Sequence, residues 1–180
     1  MTVRQKILDH ARPQRLRDGT RVFLRPLRAQ DLDHANEFFA RLSDRTKYYR
    51  FMTPTPRLTS ETLAMLVAAM HAERSGVVVA VVEHTGGEEL IGGMRVVPTA
   101  RATICEFALT IPDDWQSRGV GTVLLKEAMR VARELGYHRI EGNVLTINGK
   151  MLKVARRLRF TLRSDPEDAS VTIVSRQLLP

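Results

Sequence analysis

The sequence predicts an α+β domain: one mixed, mostly antiparallel sheet of about six or seven strands, with helices on both faces. Three features point there. A valine-rich run over 76–84 reaches the Gly86-Gly87 turn and returns as a second apolar run over 89–97, which reads as a hairpin with its first strand buried on both faces. Residues 102–111 alternate with period two, Cys105, Phe107, Leu109 and Ile111 against Ile104, Glu106, Ala108 and Thr110. Directly afterwards Gly121, Leu124, Leu125, Ala128, Ala132 and Leu135 recur at helical spacing, with Lys126, Glu127, Arg130, Arg133 and Glu134 mostly on the other side.

The remaining elements follow in order. Residues 1–15 are polar and basic with little periodicity, so an extension or fraying helix is expected there, with the domain proper spanning 16–180. Residues 21–27 read as a first strand, with Pro26 near its end. Residues 31–42 are helical, with Leu32, Ala35, Phe38, Phe39 and Leu42 as the apolar set. Ser43 or Asp44 caps a short second helix through Phe51, and a third helix covers 59–70 after the Pro54/Pro56 break. Beyond the helix that starts near Gly121, a strand is expected at 139–146, a helix at 149–158 and a last strand at 170–178.

The join at 114–122 is the most informative stretch. Two glycines let the backbone turn tightly and leave no Cβ between its N–H groups and a ligand. The first N–H groups of a helix lack internal partners and sit at the positive end of its dipole, so an anion is favoured there. Arg118 adds a full charge. Strand, glycine turn, basic residue and helix start together make a candidate pyrophosphate cradle. A dinucleotide fingerprint would place a third glycine at Leu124, although Glu141 sits about 20 residues on, where an acidic ribose ligand is expected.

Gln116-Ser117-Arg118-Gly119-Val120-Gly121, read as Q-x-x-G-x-G, resembles the acetyl-CoA motif of the GNAT superfamily of N-acetyltransferases. The resemblance continues in family order through Arg17 to Arg21, Arg25-Pro26, Asp31, Tyr48 with Arg50-Phe51, Glu106-Phe107-Ala108, Val144-Leu145 to Asn148, and Met151-Leu152, covering roughly residues 16 to 178. Within the superfamily the chain is most similar to the C-terminal acetyltransferase domain of bacterial protein-lysine acetyltransferases, without their large acyl-CoA-synthetase-like domain. This resemblance implies the GNAT fold, acetyl-CoA as acyl donor, no metal, and a primary amine acceptor, with a protein lysine favoured. It implies cofactor contacts from Leu109, Thr110 and Ile111 on the strand, from Gln116, Ser117, Arg118, Gly119, Val120, Gly121 and Thr122 in the turn, and from Asn148. Arg50 and Phe51 fall on the helix that walls the acceptor side in this fold.

Transfer of an acyl group from a thioester to an amine meets one obstacle. A lysine amine titrates about three units above neutral pH, so presenting it deprotonated costs on the order of 4 kcal/mol. A positioned base contributes roughly 10²–10⁴-fold by taking that proton. The thioester carbonyl oxygen needs a hydrogen-bond donor, which the resemblance assigns to a backbone N–H around Ala108 to Thr110. Glu106 is the candidate base. It shares a strand face with Ala108 and Thr110, a lone carboxylate among small and apolar neighbours, and the related lysine acetyltransferases carry a catalytic glutamate in the matching Glu-Phe-Ala segment. The competing reading is a structural salt bridge across the sheet to Arg95.

Asn148 opens a helix, where its side chain either caps the first turn or bonds the pantetheine arm. Two positions depart from the family pattern. Many GNAT enzymes place a thiolate-protonating tyrosine seven residues on, where this chain has Ala155; a thiol of pKa about 8.5 can leave without a dedicated acid. Arg159 stands where glycine usually ends the helix with positive φ, which implies strain or a shifted cap.

Length and composition fit one domain of 180 residues able to bury a core. The longest apolar run, Val77 to Val82, is far below a membrane span, and no signal-peptide core precedes it. A single cysteine, Cys105, excludes an internal disulfide and suits a reducing compartment, so a cytoplasmic setting is expected. Net charge is +8, with eight Arg/Lys against two Asp over residues 1–28 and six against none over 150–163. Such a surface suits electrostatic capture of the CoA phosphates or an acidic protein partner; nucleic acid ranks last, because no helix-turn-helix, zinc or aromatic RNA-binding signature is present. A homodimer stays open. The rivals to a lysine acceptor are a small-molecule amine and a noncatalytic acyl-CoA sensor.

Overall fold

The computed structural model describes residues 11–54 and 57–178. One eight-stranded sheet runs through it, formed by β1 (Arg12–Arg15), β2 (Arg21–Pro26), β3 (Gly76–His84), β4 (Gly87–Pro98), β5 (Ile104–Thr110), β6 (Arg139–Leu145), β7 (Thr161–Ser164) and β8 (Val171–Gln177). The spatial order is β1-β2-β3-β4-β5-β6-β8-β7. Every neighbouring pair is antiparallel except β5 with β6, which are parallel and joined by a crossover helix. The α-helices among the described residues are α1 (Ala35–Ala40), α2 (Asp44–Phe51), α3 (Ser60–His71), α4 (Val120–Glu134) and α5 (Gly149–Arg157), with 3-10 turns at Ala29–His34 and Asp113–Trp115.

The strand count exceeds the six or seven expected. The additions, β1 and β7, are four-residue edge strands that are mostly exposed, so they bury too little surface to carry an apolar alternation. β1 takes the last part of the segment read as an N-terminal extension, pairing Arg12 with Leu24 and Arg15 with Arg21. Residues 1–10 of that segment lie outside the described residues. The helix expected over 31–42 divides into a 3-10 turn and α1. Asp31 lies in that turn, its carboxylate tied to Arg25 and to the Arg28 N–H.

β3 is buried along Gly76–Val82, as its valines predict, and serves both layers. Val78, Ala80 and Val82 join the main core with Leu124, Leu125, Ala128 and Val131 of α4 and Leu152 and Ala155 of α5. Val77 and Val79 face the opposite layer, under α1 to α3. α4 seats closely on β4 because Gly92 has no side chain: a Cβ there would meet Leu124 Cδ1 at 2.9 Å and Val120 Cγ1 at 3.2 Å. That contact fixes where α4 begins relative to β5.

β5 and β6 pair only over Ile104 with Arg139, Cys105 with Ile140 and Glu106 with Glu141. Beyond Glu106 they part, β5 staying with β4 up to Thr110 and β6 with β8 up to Leu145. Phe107 accompanies the split. Its ring crosses to Gly142 of β6, where a Cβ would lie 2.6 Å from Cε1, and packs edge-on against Phe160 at 5.8 Å. The result is a fork in the sheet. From Phe107 onward, the backbone polar groups of β5 that turn away from β4 have no strand to bond among the described residues.

Candidate active site

Three parts meet at the open end of the fork. The first is the turn into α4. Ser117 has φ +62° and Gly119, the residue before the helix, φ +105°. This alternation of left-handed positions turns successive N–H groups into one concavity, an arrangement that binds anions. The N–H groups of Ser117, Arg118, Gly119, Val120 and Gly121 have no hydrogen-bond partner among the described residues; the first to bond is Thr122, to the Gly119 carbonyl at 3.0 Å. A Cβ on Gly119 would find space, with Leu16 Cδ2 nearest at 3.9 Å, but the φ disfavours a side chain there.

The turn is braced from several directions, so its open N–H groups are held in place before any ligand arrives. Asp113 accepts from the Ser43 N–H at 2.9 Å and hydroxyl at 2.7 Å. Asp114 pairs with Arg41, which also holds Glu89, and the indole N–H of Trp115 donates to the same Glu89 at 3.1 Å. Gln116 donates to the Thr46 hydroxyl and the Ile111 carbonyl, and accepts from Lys150 at 3.0 Å. Arg118 lies over the Trp115 ring and pairs with Asp18 at 2.9 Å. Bonds from the Thr20 hydroxyl and N–H, with the Arg118 guanidinium adding to them, hold the Asp18 carboxyl down at about 2.

Two residues named from sequence therefore occupy bracing positions. Gln116 ties β5 to α2, and the Arg118 charge is balanced by Asp18 instead of standing free in the cradle. Val120 is buried in the core, so its side chain takes no part in the concavity. Gly121 abuts Ile111, whose Cδ1 would lie 3.2 Å from an added Cβ. Leu109 and Ile111 pack partly against the main core.

The second part is the face of β5 that carries Glu106, Ala108 and Thr110. Glu106 is half-buried and makes no ion pair within 4 Å among the described residues, so the salt bridge to Arg95 is not formed. Arg50 reaches the same face from α2, with its Nε 3.1 Å from the Thr110 hydroxyl and its guanidinium 5.0 Å from the Phe51 ring centroid. Burial pushes the Arg50 guanidinium down to about 10; repulsion from Arg95 adds to this and attraction to Glu106 offsets part of it. Phe51 packs on Phe39 at 5.9 Å. Both residues assigned to the acceptor side thus lie beside the Glu106 strand.

The third part is the start of α5. Asn148 caps that helix, its Oδ1 accepting from the Met151 N–H at 3.2 Å. Tyr49 of α2 reaches across the opening, its hydroxyl 3.5 Å from the Ile147 carbonyl. Ala155 is fully buried, and Tyr137 is buried with its hydroxyl on the Arg74 carbonyl at 2.8 Å, so neither position faces the fork. Arg159 keeps the left-handed conformation the family reserves for glycine, at φ +58°, and Phe160 closes the helix by bonding the Ala155 carbonyl. Cys105 is buried, and burial pushes its thiol up to about 12, so it is no nucleophile near neutral pH. Glu141, the candidate ribose ligand of a dinucleotide site, is paired with Arg139 at 2.7 Å.

Among the described residues no three His, Cys, Asp or Glu side chains converge as a metal set, and no helix is long and apolar enough to cross a membrane. The braces were beyond sequence reasoning. Ser43 to Asp113, Arg118 to Asp18 and Trp115 to Glu89 join residues 26 to 100 positions apart, and no local spacing announces such pairs.

Comparisons with known proteins agree with this architecture. The acetyltransferase (GNAT) domain family matches residues 21–161. Acetyltransferase PA5475 of Pseudomonas aeruginosa is 30% identical over 158 residues, covering 88% of this chain and 84% of that protein. Acetyltransferase Pat of Mycolicibacterium smegmatis is 29% identical over 147 residues, covering 81% of this chain and only 43% of Pat. The solved GNAT domain of S. lividans PAT superposes with a TM-score of 0.80 at 30% identity, covering 93% of this chain and 96% of that domain. The forked sheet, the open N–H turn and these matches have one reading: the chain belongs to the GNAT acetyltransferase family.

Proposed function

We propose that this chain moves an acetyl group from acetyl-CoA to a primary amine by direct attack, with Glu106 as general base. The observation that carries this reading is the placement of Glu106 at the last paired position before β5 and β6 part, with the five unbonded N–H groups at the start of α4. The donor fits that site by its chemistry. A pyrophosphate supplies the negative oxygens that the Ser117 to Gly121 N–H groups lack, and the CoA arm can add backbone bonds to β5 where β6 has departed. Asn148, beside the fork, retains its amide Nδ2 as a donor to the same arm. Of the expected contacts, Leu109, Thr110, Ile111, Val120 and Gly121 would act through backbone, and Thr122, whose N–H already bonds the Gly119 carbonyl, through its hydroxyl.

In the reaction the amine nitrogen bonds to the acetyl carbonyl carbon, the carbon–sulfur bond breaks, and CoA departs as a thiolate. Glu106 takes the proton the amine loses. A β5 backbone N–H steadies the carbonyl oxygen as charge gathers there. The motif resemblance to bacterial protein-lysine acetyltransferases favours a protein lysine as acceptor, and the basic surface over 150–163 favours an acidic protein bearing it. A cytoplasmic setting, where Cys105 stays reduced, follows from the same reading.

A noncatalytic acyl-CoA sensor would use the same cradle, and one assay separates the two. Free CoA is measured as thiol release from acetyl-CoA, with and without a pool of lysine-bearing proteins and small amines. The proposal predicts release that depends on acceptor. Tight acetyl-CoA binding with no release across the pool would establish the sensor instead.

A further inference from the structure

A cavity of about 150 Å³ lies under α1 to α3 and opens beside the Glu106 strand, where Ala108 and Thr110 form part of its wall. Its body is apolar, lined by Phe38, Phe39, Phe51, Leu63, Leu66 and Val79 among others. A dry cavity of that size and lining accepts a benzene ring, so it has room for one apolar amino-acid side chain. Three charged residues also border it. Asp31 is fully engaged by Arg25 at 2.7 Å and by the Arg28 N–H. The other two, Arg50 and Arg95, are a different matter.

Arg50 and Arg95 have no carboxylate within 4 Å among the described residues, and Arg95 Nε is buried with no hydrogen-bond partner. They are close enough to repel one another, while Glu106 attracts Arg50 from beyond contact. The pocket wall at Ala108 and Thr110 therefore carries two guanidinium groups with no paired carboxylate, in apolar surroundings, and Glu106 stands on the same strand face. A buried donor left unbonded is costly, and the natural remedy is an anion that brings its own oxygens. A ligand that also presents an ammonium to Glu106 would match the charges of all three side chains.

We propose that this pocket takes a free amino acid with an apolar side chain as acetyl acceptor, its carboxylate held by Arg50 and Arg95, its amine directed at Glu106 and its side chain in the cavity. The inference rests on the reading of Glu106 as base and acetyl-CoA as donor. The step is the same transfer: the α-amine nitrogen bonds to the acetyl carbon, the carbon–sulfur bond breaks, Glu106 receives the proton, and the products are the N-acetyl amino acid and CoA. The carboxylate is the recognition element. A protein lysine offers no such anion at fixed distance from its amine.

The test compares kcat/KM at saturating acetyl-CoA for leucine, methionine and phenylalanine with their decarboxylated amines and with a lysine peptide, reading CoA release and the acetylated product by mass spectrometry. The amino acids should exceed the decarboxylated amines by at least 100-fold. In Arg95→Met that ratio should fall below tenfold, with the thermal midpoint recorded to confirm folding; Arg95→Lys, which keeps a charge, should restore part of it. A ratio near one in the wild type would overturn the inference. So would an Arg95→Met variant that slows amino acids and decarboxylated amines equally, because the arginines would then act only on Glu106. Acetylation of the lysine peptide with no turnover of any amino acid would sink this inference and leave the proposed function standing; no CoA release with any acceptor would sink both.

Discussion

Replacing Gly119 with Asp tests the cradle where its parts are separable. The substitution changes two things. Gly119 sits at φ +105°, so any side chain there strains the turn, at about 1–3 kcal/mol of stability. It also puts a carboxylate next to the five open N–H groups. Space is not the issue, since Leu16 Cδ2 at 3.9 Å is the nearest neighbour of the new Cβ. A unit charge about 5 Å from a doubly charged pyrophosphate, at an effective permittivity of 40–80, opposes binding by about 2–3 kcal/mol. Gly119→Asn has nearly the same shape and the same strain without the charge. Titration calorimetry with acetyl-CoA should then give Gly119→Asp a Kd roughly 30–150-fold weaker than Gly119→Asn, because each 1.4 kcal/mol is about tenfold. The gap should narrow at high salt, which screens exposed charges. Thermal midpoints of the two variants should fall together. Equal Kd values for Asp and Asn, or a gap indifferent to salt, would refute the claim that an anion sits on these N–H groups.

Two further outcomes concern the frame around the site. Asp31→Ala strips the bidentate partner from buried Arg25, leaving Glu88 as its remaining carboxylate, and should cost about 3–5 kcal/mol in urea unfolding. Burial alone would raise the Asp31 carboxyl, but the Arg25 guanidinium and the Arg28 N–H outweigh it and hold the group below the usual carboxylate range. Its contribution is therefore complete above the unfolded value near 3.9 and lost as pH falls toward the depressed folded value, so the variant and the wild type should converge in acid. Arg159→Gly should raise stability by about 1 kcal/mol, since φ +58° suits glycine and the exposed arginine has no side-chain partner to lose among the described residues. A lower thermal midpoint for Arg159→Gly would mean that the arginine holds the α5 terminus by a contact of its own.

The parts of the fold that sequence reveals are those governed by one element at a time. The valines of β3, the alternation of β5 and the stripe of α4 each bury a definite face, so their periods are written in the residues. Ser43, Thr59 and Asn148 cap their helices where their chemistry places them. β1 and β7 escape because an exposed edge strand needs only backbone partners. The Q-x-x-G-x-G stretch announces the cradle, but the destinations of Gln116 and Arg118 depend on Thr46 and Asp18, 70 and 100 residues away. Arg50 could be placed near the acceptor from its helix. That Arg95 would stand beside it with a buried, unbonded Nε is a property of the folded β4–β5 pair alone.

Glu106→Gln bears most directly on the account, because it removes the proton acceptor and keeps the shape of the side chain. Turnover at saturating acetyl-CoA and acceptor should fall at least tenfold, within the roughly 10²–10⁴-fold range of a positioned base, while the Kd for acetyl-CoA stays within about threefold of wild type. Turnover unchanged in Glu106→Gln, with the donor still bound, would contradict the central claim.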